Sequence, residues 1–338
     1  MRIGIPVEAK PGERRVALLP DEVASLTGDG HEVRVQSGAG RGIGVDDDAY
    51  RAAGATITDL EGTWESPLVV KVKELQEAEY PRLRRGQTVF GYHHLTGHPE
   101  HARHVAASGI TALAWEAVRD ANGSLPLLAP MSIIAGRMSI DVARRFLGHV
   151  PRKVLVLGAG FCGGAAAEAA REAGAEVHML RRATATPEAV ERLALQSDLI
   201  VGAAYTTGER TPKLLPRSLV ARMKKGSMIV DISIEEGGVA ETSRPTSHDS
   251  PTYVEEGVIH YAVPNMPSAA PREAAQAISA AVIPYVRTLA RKGIANALRD
   301  DAGLRAGLLV WKGSVTHEGI ARETGLPYTS VSAPDLHD

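Results

Sequence analysis

The sequence predicts an α/β fold of two domains, each a parallel sheet flanked by helices, with long helices joining the two. Three observations predict it. Short apolar runs such as Leu68–Val72, Thr88–Tyr92 and Val154–Leu157 alternate with helical stretches along the chain, as βα repeats require. The 338 residues suffice for two domains. The stretch KVLVLGAGFCGG, residues 153–164, sets G-x-G-x-x-G between an apolar strand and an Ala-rich helix. The expected boundaries are 1–130 with about 271–338 for a substrate-binding domain, and about 131–270 for a dinucleotide-binding domain.

In chain order, 1–6 reads as a strand, 10–15 as a polar loop and the stretch from near Asp21 as a helix with an acidic first turn. Strands follow at 30–35, 55–57, 68–72, 88–92 and 110–115, with helices at 46–53 and 98–108. In such sheets ligands sit at the carboxyl ends of strands. Lys73 and His94 fall at two of those ends, and Arg15 lies on a loop able to reach them. A connecting helix is expected over 131–146. The second domain then has strands at 153–157, 176–180, 199–203, 228–232 and 258–263. A helix over 271–292 precedes a mixed tail that returns to the first domain. The substrate is expected in a cleft between the domains.

The glycine motif carries the cofactor reading. Gly158 makes the tight turn, Gly160 lets a pyrophosphate approach the backbone, and Gly163 lets helix and strand pack closely. Free N–H groups around Ala159, Phe161 and Cys162, with the positive end of the helix dipole, face the phosphates. The next strand ends not in the usual carboxylate for a ribose but in Arg181 and Arg182. A guanidinium pairs with a 2′-phosphate that a carboxylate repels, so the expected cofactor is NADPH or NADH, with a leaning to NADPH.

Composition excludes other classes. A net charge of −2 argues against nucleic acid or an acidic membrane surface as partner. No apolar run is long enough to cross a bilayer, and the chain enters a strand at once with no signal peptide. The single cysteine, Cys162, makes no internal disulfide and fits a cytoplasmic protein; it reads as a small packing residue. No metal-ligand spacing occurs, so no metal is expected.

With Arg15, Lys73, His94 and the glycine turn in view, the chain resembles the alanine dehydrogenase/pyridine nucleotide transhydrogenase family. The resemblance rests on RIGIPVEAKPGERRVALLP, KVKE, the strand ending in His94, LPLLAPMS-x-x-AGR, LVLGAG-x-x-G, MIVDISIEEGG, SRPT and VPNMP, in family order over most of the chain. It implies two Rossmann-like domains, a small 2-oxo acid or amino acid as substrate, and a homo-oligomer, hexameric or smaller. By resemblance Arg15 and Lys73 hold the carboxylate and oxygen of pyruvate, and His94 is the general acid/base. Those residue types suit a 2-oxo acid, which needs a cationic clamp and a proton carrier working near neutral pH. Met131 and Asn265 resemble positions lining the pyruvate and nicotinamide pockets, and Ala203 resembles one passing under the nicotinamide ribose. Glu235 stands where the family usually has Asp, a catalytic carboxylate one methylene longer.

The closest overall match within the family is to its amino acid dehydrogenases, which reductively aminate a 2-oxo acid. The segments 138–153 and 182–198 are shorter than usual, the second by a strand and a helix. With Arg181 they favour, as the alternative, an NADPH-dependent opine-type carboxyethyl amino acid synthase of the carboxyethyl-ornithine kind. A transhydrogenase component ranks lower, because LPLLAPMSIIAGR lacks that component's polar partner-reaching loop.

Overall fold

A computed structural model of the chain describes residues 1–204 and 210–336. The chain divides into two compact units, Met1–Pro130 with Ala270–Asp338, and Met131–Ala269.

The first unit is built on β1 (Arg2–Ile5), β2 (Glu32–Gln36), β3 (Thr56–Thr58), β4 (Leu68–Val70), β5 (Thr88–Gly91) and β6 (Thr111–Ala114). These six are parallel and lie side by side in the order β3-β2-β1-β4-β5-β6. That is the doubly wound arrangement, with its reversal of direction between β1 and β4. Leu68, Val69 and Val70 are fully buried, as a strand covered on both faces must be. Helix starts follow local chemistry. Asp46 accepts from Ala49 N–H and Asp59 from Gly62 N–H, each satisfying a donor the helix leaves free.

The second unit holds β7 (Lys153–Leu157), β8 (Glu176–Leu180), β9 (Leu199–Gly202), β10 (Met228–Asp231), β11 (Thr252–Glu255) and β12 (Val258–Tyr261). Its parallel strands run β8-β7-β9-β10-β12, the shorter doubly wound order, reversing between β7 and β9. Val154 to Leu157 are fully buried, each worth about 1.5–3 kcal/mol against exposure.

The tail completes the first sheet with β13 (Leu308–Trp311) and β14 (Ser314–Val315), β13 pairing antiparallel with β6. Both sheets are therefore mixed rather than purely parallel, because β11, β13 and β14 run antiparallel to their neighbours. Glu256-Gly257 and Lys312-Gly313 form the two-residue turns of these hairpins, with φ of 52° and 75°, and 48° and 92°. Positive φ at both positions matches the twist of a hairpin.

Two local expectations change. The shortened segment after Arg182 still forms a helix, Pro187–Ala194, capped by Thr186 and packed on the core through Val190 and Leu193. The helix after the glycine motif starts at Phe161, so Phe161, Cys162 and Gly163 are its first turn rather than loop. No helix among the described residues is long and apolar enough to cross a membrane.

Candidate active site

In the first unit the loops leaving β1, β4 and β5 carry the charged residues. Lys73 and His94 each stand three residues beyond their strands, which end at Val70 and Gly91. Since Val70 pairs with Phe90, the two loops leave side by side. Lys73 is buried, its Nζ 3.2 Å from Glu74 Oε2, while Lys10 Nζ lies 2.5 Å from Glu74 Oε1. Burial opposes the charge on Glu74, but Lys73 and Lys10 outweigh it and hold the carboxyl well below the usual carboxylate range. Arg15 is buried and gripped by Glu13, with Nε to Oε1 at 2.7 Å and Nη2 to Oε2 at 2.5 Å. A guanidinium held by one edge has a fixed plane. Burial opposes its charge too, and Glu13 more than offsets this.

His94 adopts φ of 47°, a left-handed conformation rare for a residue with a side chain. Among the described residues three other non-glycines share it. Two are the hairpin positions Glu256 and Lys312, where the turn demands it; the third is Asn265, with φ of 54°. Strain outside a turn marks a place where something besides local folding fixes the chain. At His94 the fixing group is Glu116, whose Oε1 accepts from His94 N–H at 2.7 Å and from His93 N–H at 3.1 Å. The His94 ring stacks on Tyr92, centroids 5.8 Å apart. Burial, and then the nearby Lys73 ammonium, push its imidazole down to about 3, so the ring is neutral near pH 7. The same burial and the neighbouring cation make the ring a weaker base than a free imidazole.

The second unit offers a different surface. Gly158 has φ of 117°, and a Cβ there would lie 2.2 Å from Ala203 O. A Cβ on Gly163 would lie 2.0 Å from Gly158 O, whereas one on Gly160 would meet nothing within 4 Å. The first and third glycines are thus required by packing, and the second leaves open space in front of the helix Phe161–Glu172. No side chain caps that helix start. Open room before uncapped N–H groups fits a pyrophosphate, so the cradle suits a dinucleotide. Ala203 N–H donates to Leu157 O at 2.8 Å, so the ends of β7 and β9 meet at the reversal of strand order. Burial pushes the Cys162 thiol up to about 12, leaving it a packing group and no nucleophile. Arg181 and Arg182 are exposed just past β8.

Comparison with known proteins finds two family domains along the chain, whose bounds differ from those of the two compact units. The profile "Alanine dehydrogenase/PNT, N-terminal domain" matches residues 4–135, and "Alanine dehydrogenase/PNT, C-terminal domain" matches 178–318. The chain belongs to the alanine dehydrogenase/PNT family. It is 40% identical to the alanine dehydrogenase of Mycolicibacterium smegmatis, over 98% of this chain and 99% of that one. It is 39% identical to the alanine dehydrogenase of Halomonas elongata, over 98% and 99%. A solved L-alanine dehydrogenase superposes with a TM-score of 0.89 at 38% identity, covering 95% of this chain and 98% of that one.

Within this alanine dehydrogenase/PNT chain, the first unit holds Arg15, Lys73 and His94: Lys73 acts electrostatically on His94, and both Arg15 and His94 neighbour Tyr92. Met131, buried in the helix Ala129–Leu147, begins the second unit. That unit also holds Glu235 and Asn265. Glu235 is exposed on the 3₁₀ turn Ile232–Glu236, which Gly237 closes at φ of 101°. Buried Asp231 steadies the segment beyond, accepting from Val239 N–H at 2.8 Å and Ser243 Oγ at 2.6 Å. Reading the sequence missed Glu8, Lys71, Glu74, Glu79, Glu116 and Asp231. A signal for Lys71 was present: a lysine inside Leu68-Val69-Val70-Lys71-Val72 interrupts a run read as buried, and a buried charge needs a partner. Glu116, distant in sequence from the histidines it holds, gave none.

Proposed function

We propose that the protein is an NAD(P)H-dependent amino acid dehydrogenase interconverting L-alanine with pyruvate and ammonia. The observation that supports this reading is the placing of Lys73 and His94 on adjacent loops, with Tyr92 beside both His94 and Arg15. It occurs in a chain 38–40% identical to alanine dehydrogenases over nearly its whole length.

In this reading Arg15, its plane set by Glu13, binds the carboxylate of the 2-oxo acid. Lys73 points its ammonium at the carbonyl oxygen and draws electron density from the carbon that ammonia attacks. His94 carries the proton: it receives one from the attacking amine, gives it up to the departing hydroxyl, and reverses both steps in oxidation. The approaching carboxylate adds a negative charge that lifts the imidazole from its depressed value toward the working range. When bound, a reduced nicotinamide would supply the hydride for the imine carbon. Backbone groups of Gly158, Ala159, Gly160, Phe161, Cys162 and Gly163 hold the pyrophosphate, and Ala203 passes beneath a ribose. Arg181 and Arg182 pair with a 2′-phosphate, which makes NADPH the better coenzyme. The family resemblance assigns Met131 and Asn265 to the oxo acid and nicotinamide pockets and Glu235 to the place of the family's Asp. The reading includes a cytoplasmic homo-oligomer, hexameric or smaller, which sedimentation of the purified chain tests.

The decisive experiment supplies pyruvate with ammonia, ornithine or lysine and either reduced coenzyme, and weighs the product. Alanine is expected from ammonia. A product joining pyruvate to the diamino acid would replace this reading with an opine-type synthase, and no turnover on any 2-oxo acid would end it. Arg181→Asp is expected to move the preference toward NADH; an unchanged preference removes the NADPH assignment.

A further inference from the structure

We infer that Glu8, Lys71 and Glu79 form a buried positioning device that fixes the backbone of Lys73 and so aims its ammonium at the oxo acid. The inference rests on the reading above, in which Lys73 touches that substrate. The Lys71 side chain is 0% exposed, and its Nζ lies 3.1 Å from Glu8 Oε2 and 3.3 Å from Glu79 Oε2. The same Nζ donates to Lys73 O at 2.7 Å and approaches Glu74 O at 3.4 Å. Glu8 in turn accepts from Val72 N–H at 2.5 Å and from Lys73 N–H at 3.1 Å. Both peptide groups flanking the Lys73 Cα are therefore gripped by buried charge, the N–H by Glu8 and the C=O by Lys71.

Lys73 needs such a grip. β4 ends at Val70, and the ladder to the neighbouring loop continues only through Lys71 N–H to Phe90 O and Tyr92 N–H to Val72 O. Beyond Val72 the sheet no longer dictates the direction of the chain. Three buried ionisable groups are a poor way to gain stability, since apolar side chains of similar volume usually do as well or better. What they supply is direction: charge-assisted bonds to named backbone atoms select one loop conformation. Burial pushes the Glu79 carboxyl up although Lys71 opposes it. Gln76 N–H at 2.8 Å from Glu79 Oε2 ties the device to the following segment.

The test is a double-mutant cycle on the full-length protein with NAD⁺ bound, reading the pyruvate dissociation constant so that no turnover is needed. Glu8→Gln keeps the shape, but one amide oxygen cannot accept from Val72 and Lys73 and also pair with Lys71. In the native background it is expected to weaken pyruvate about tenfold, and in a Lys73→Ala background to add less than about twofold. NAD⁺ affinity is expected to stay unchanged in all four proteins. Lys71→Arg, which keeps the charge but displaces the donor from Lys73 O, serves as the second probe and should follow the same pattern. Equal losses in both backgrounds, or no loss from either probe, overturn the positioning role while leaving Lys73 in the site. Native-like pyruvate binding by Lys73→Ala overturns the assignment of Lys73 itself, and this proposal with it.

Discussion

The two units reverse strand order at one point each, and what they place there differs in kind. Between β1 and β4 the first unit sets charged side chains: Arg15 on Glu13, Lys73 on Glu74, and Lys71 between Glu8 and Glu79. Between β7 and β9 the second unit sets backbone and empty space: Gly158 against Ala203, Gly163 against Gly158, and Gly160 facing nothing. A small anion with a reacting carbonyl is fixed by charges at defined points, and those charges need partners to survive burial. A pyrophosphate is long and already charged, and it needs room and N–H donors more than side chains. The same topology serves both ends because the strands supply only the platform.

Substitutions that separate the units test this contrast. The largest effect is expected from His94→Asn, chosen because asparagine tolerates positive φ. Turnover should fall about 10²–10⁴-fold, with coenzyme affinity by fluorescence titration unaltered. Retention of near-native rate would remove His94 from the chemistry. In the second unit, Gly160→Ala should weaken dinucleotide about tenfold or more, while thermal unfolding shifts by less than about 0.5 kcal/mol. Gly163→Ala should cost about 1–3 kcal/mol of stability, since its Cβ would strike Gly158 O. Similar behaviour of the two variants would mean that Gly160 is a packing glycine like Gly163.

A smaller effect is expected in acid, where the first unit carries the most strongly depressed histidines although His260 of the second unit is also held down by burial. Burial holds His93 and His101 down to about 4 and His94 to about 3, all in the first unit. Each binds its proton more weakly folded than unfolded, where the value is about 6.5. The unfolded chain therefore takes up more protons below pH 6.5, and the stability these neutral rings contribute above it is lost progressively as pH falls toward 4 and 3. Lys73, Lys10, His98 and Glu74 face His94 and tune the window. Unfolding midpoints should drop between pH 6.5 and 4 in the native protein and drop less in a His93→Gln variant. An identical slope in both would show that other groups govern the acid limb.

How much of this was legible beforehand depended on how local the cause was. The strand Glu176–Leu180 and the helix Pro271–Lys292 have the bounds their patterns gave, because apolar periodicity and flanking Gly and Pro act within a few residues. The glycine motif announced its own geometry because the unit is stereotyped: Gly163 is set by the nearby Gly158 O, and Gly158 by Ala203 at the end of the adjacent strand. The antiparallel return of β13 onto β6 was not legible as pairing, since nothing near Leu308 names Leu113 as its partner. Nor was the left-handed bend at His94, imposed by a carboxylate 22 residues away in sequence.

By itself, then, the sequence determined the alternation of strands and helices, the dinucleotide cradle, and the presence of an arginine, a lysine and a histidine at strand ends. Each is written in residue type and spacing, which act over one turn or one strand. The tertiary structure alone decided which buried acid holds which backbone N–H, and so how Lys73 is pinned, and it buried His94 beside the Lys73 ammonium, which keeps that ring neutral. Desolvation and Coulomb forces depend on who becomes a neighbour through space, and only the folded chain sets that.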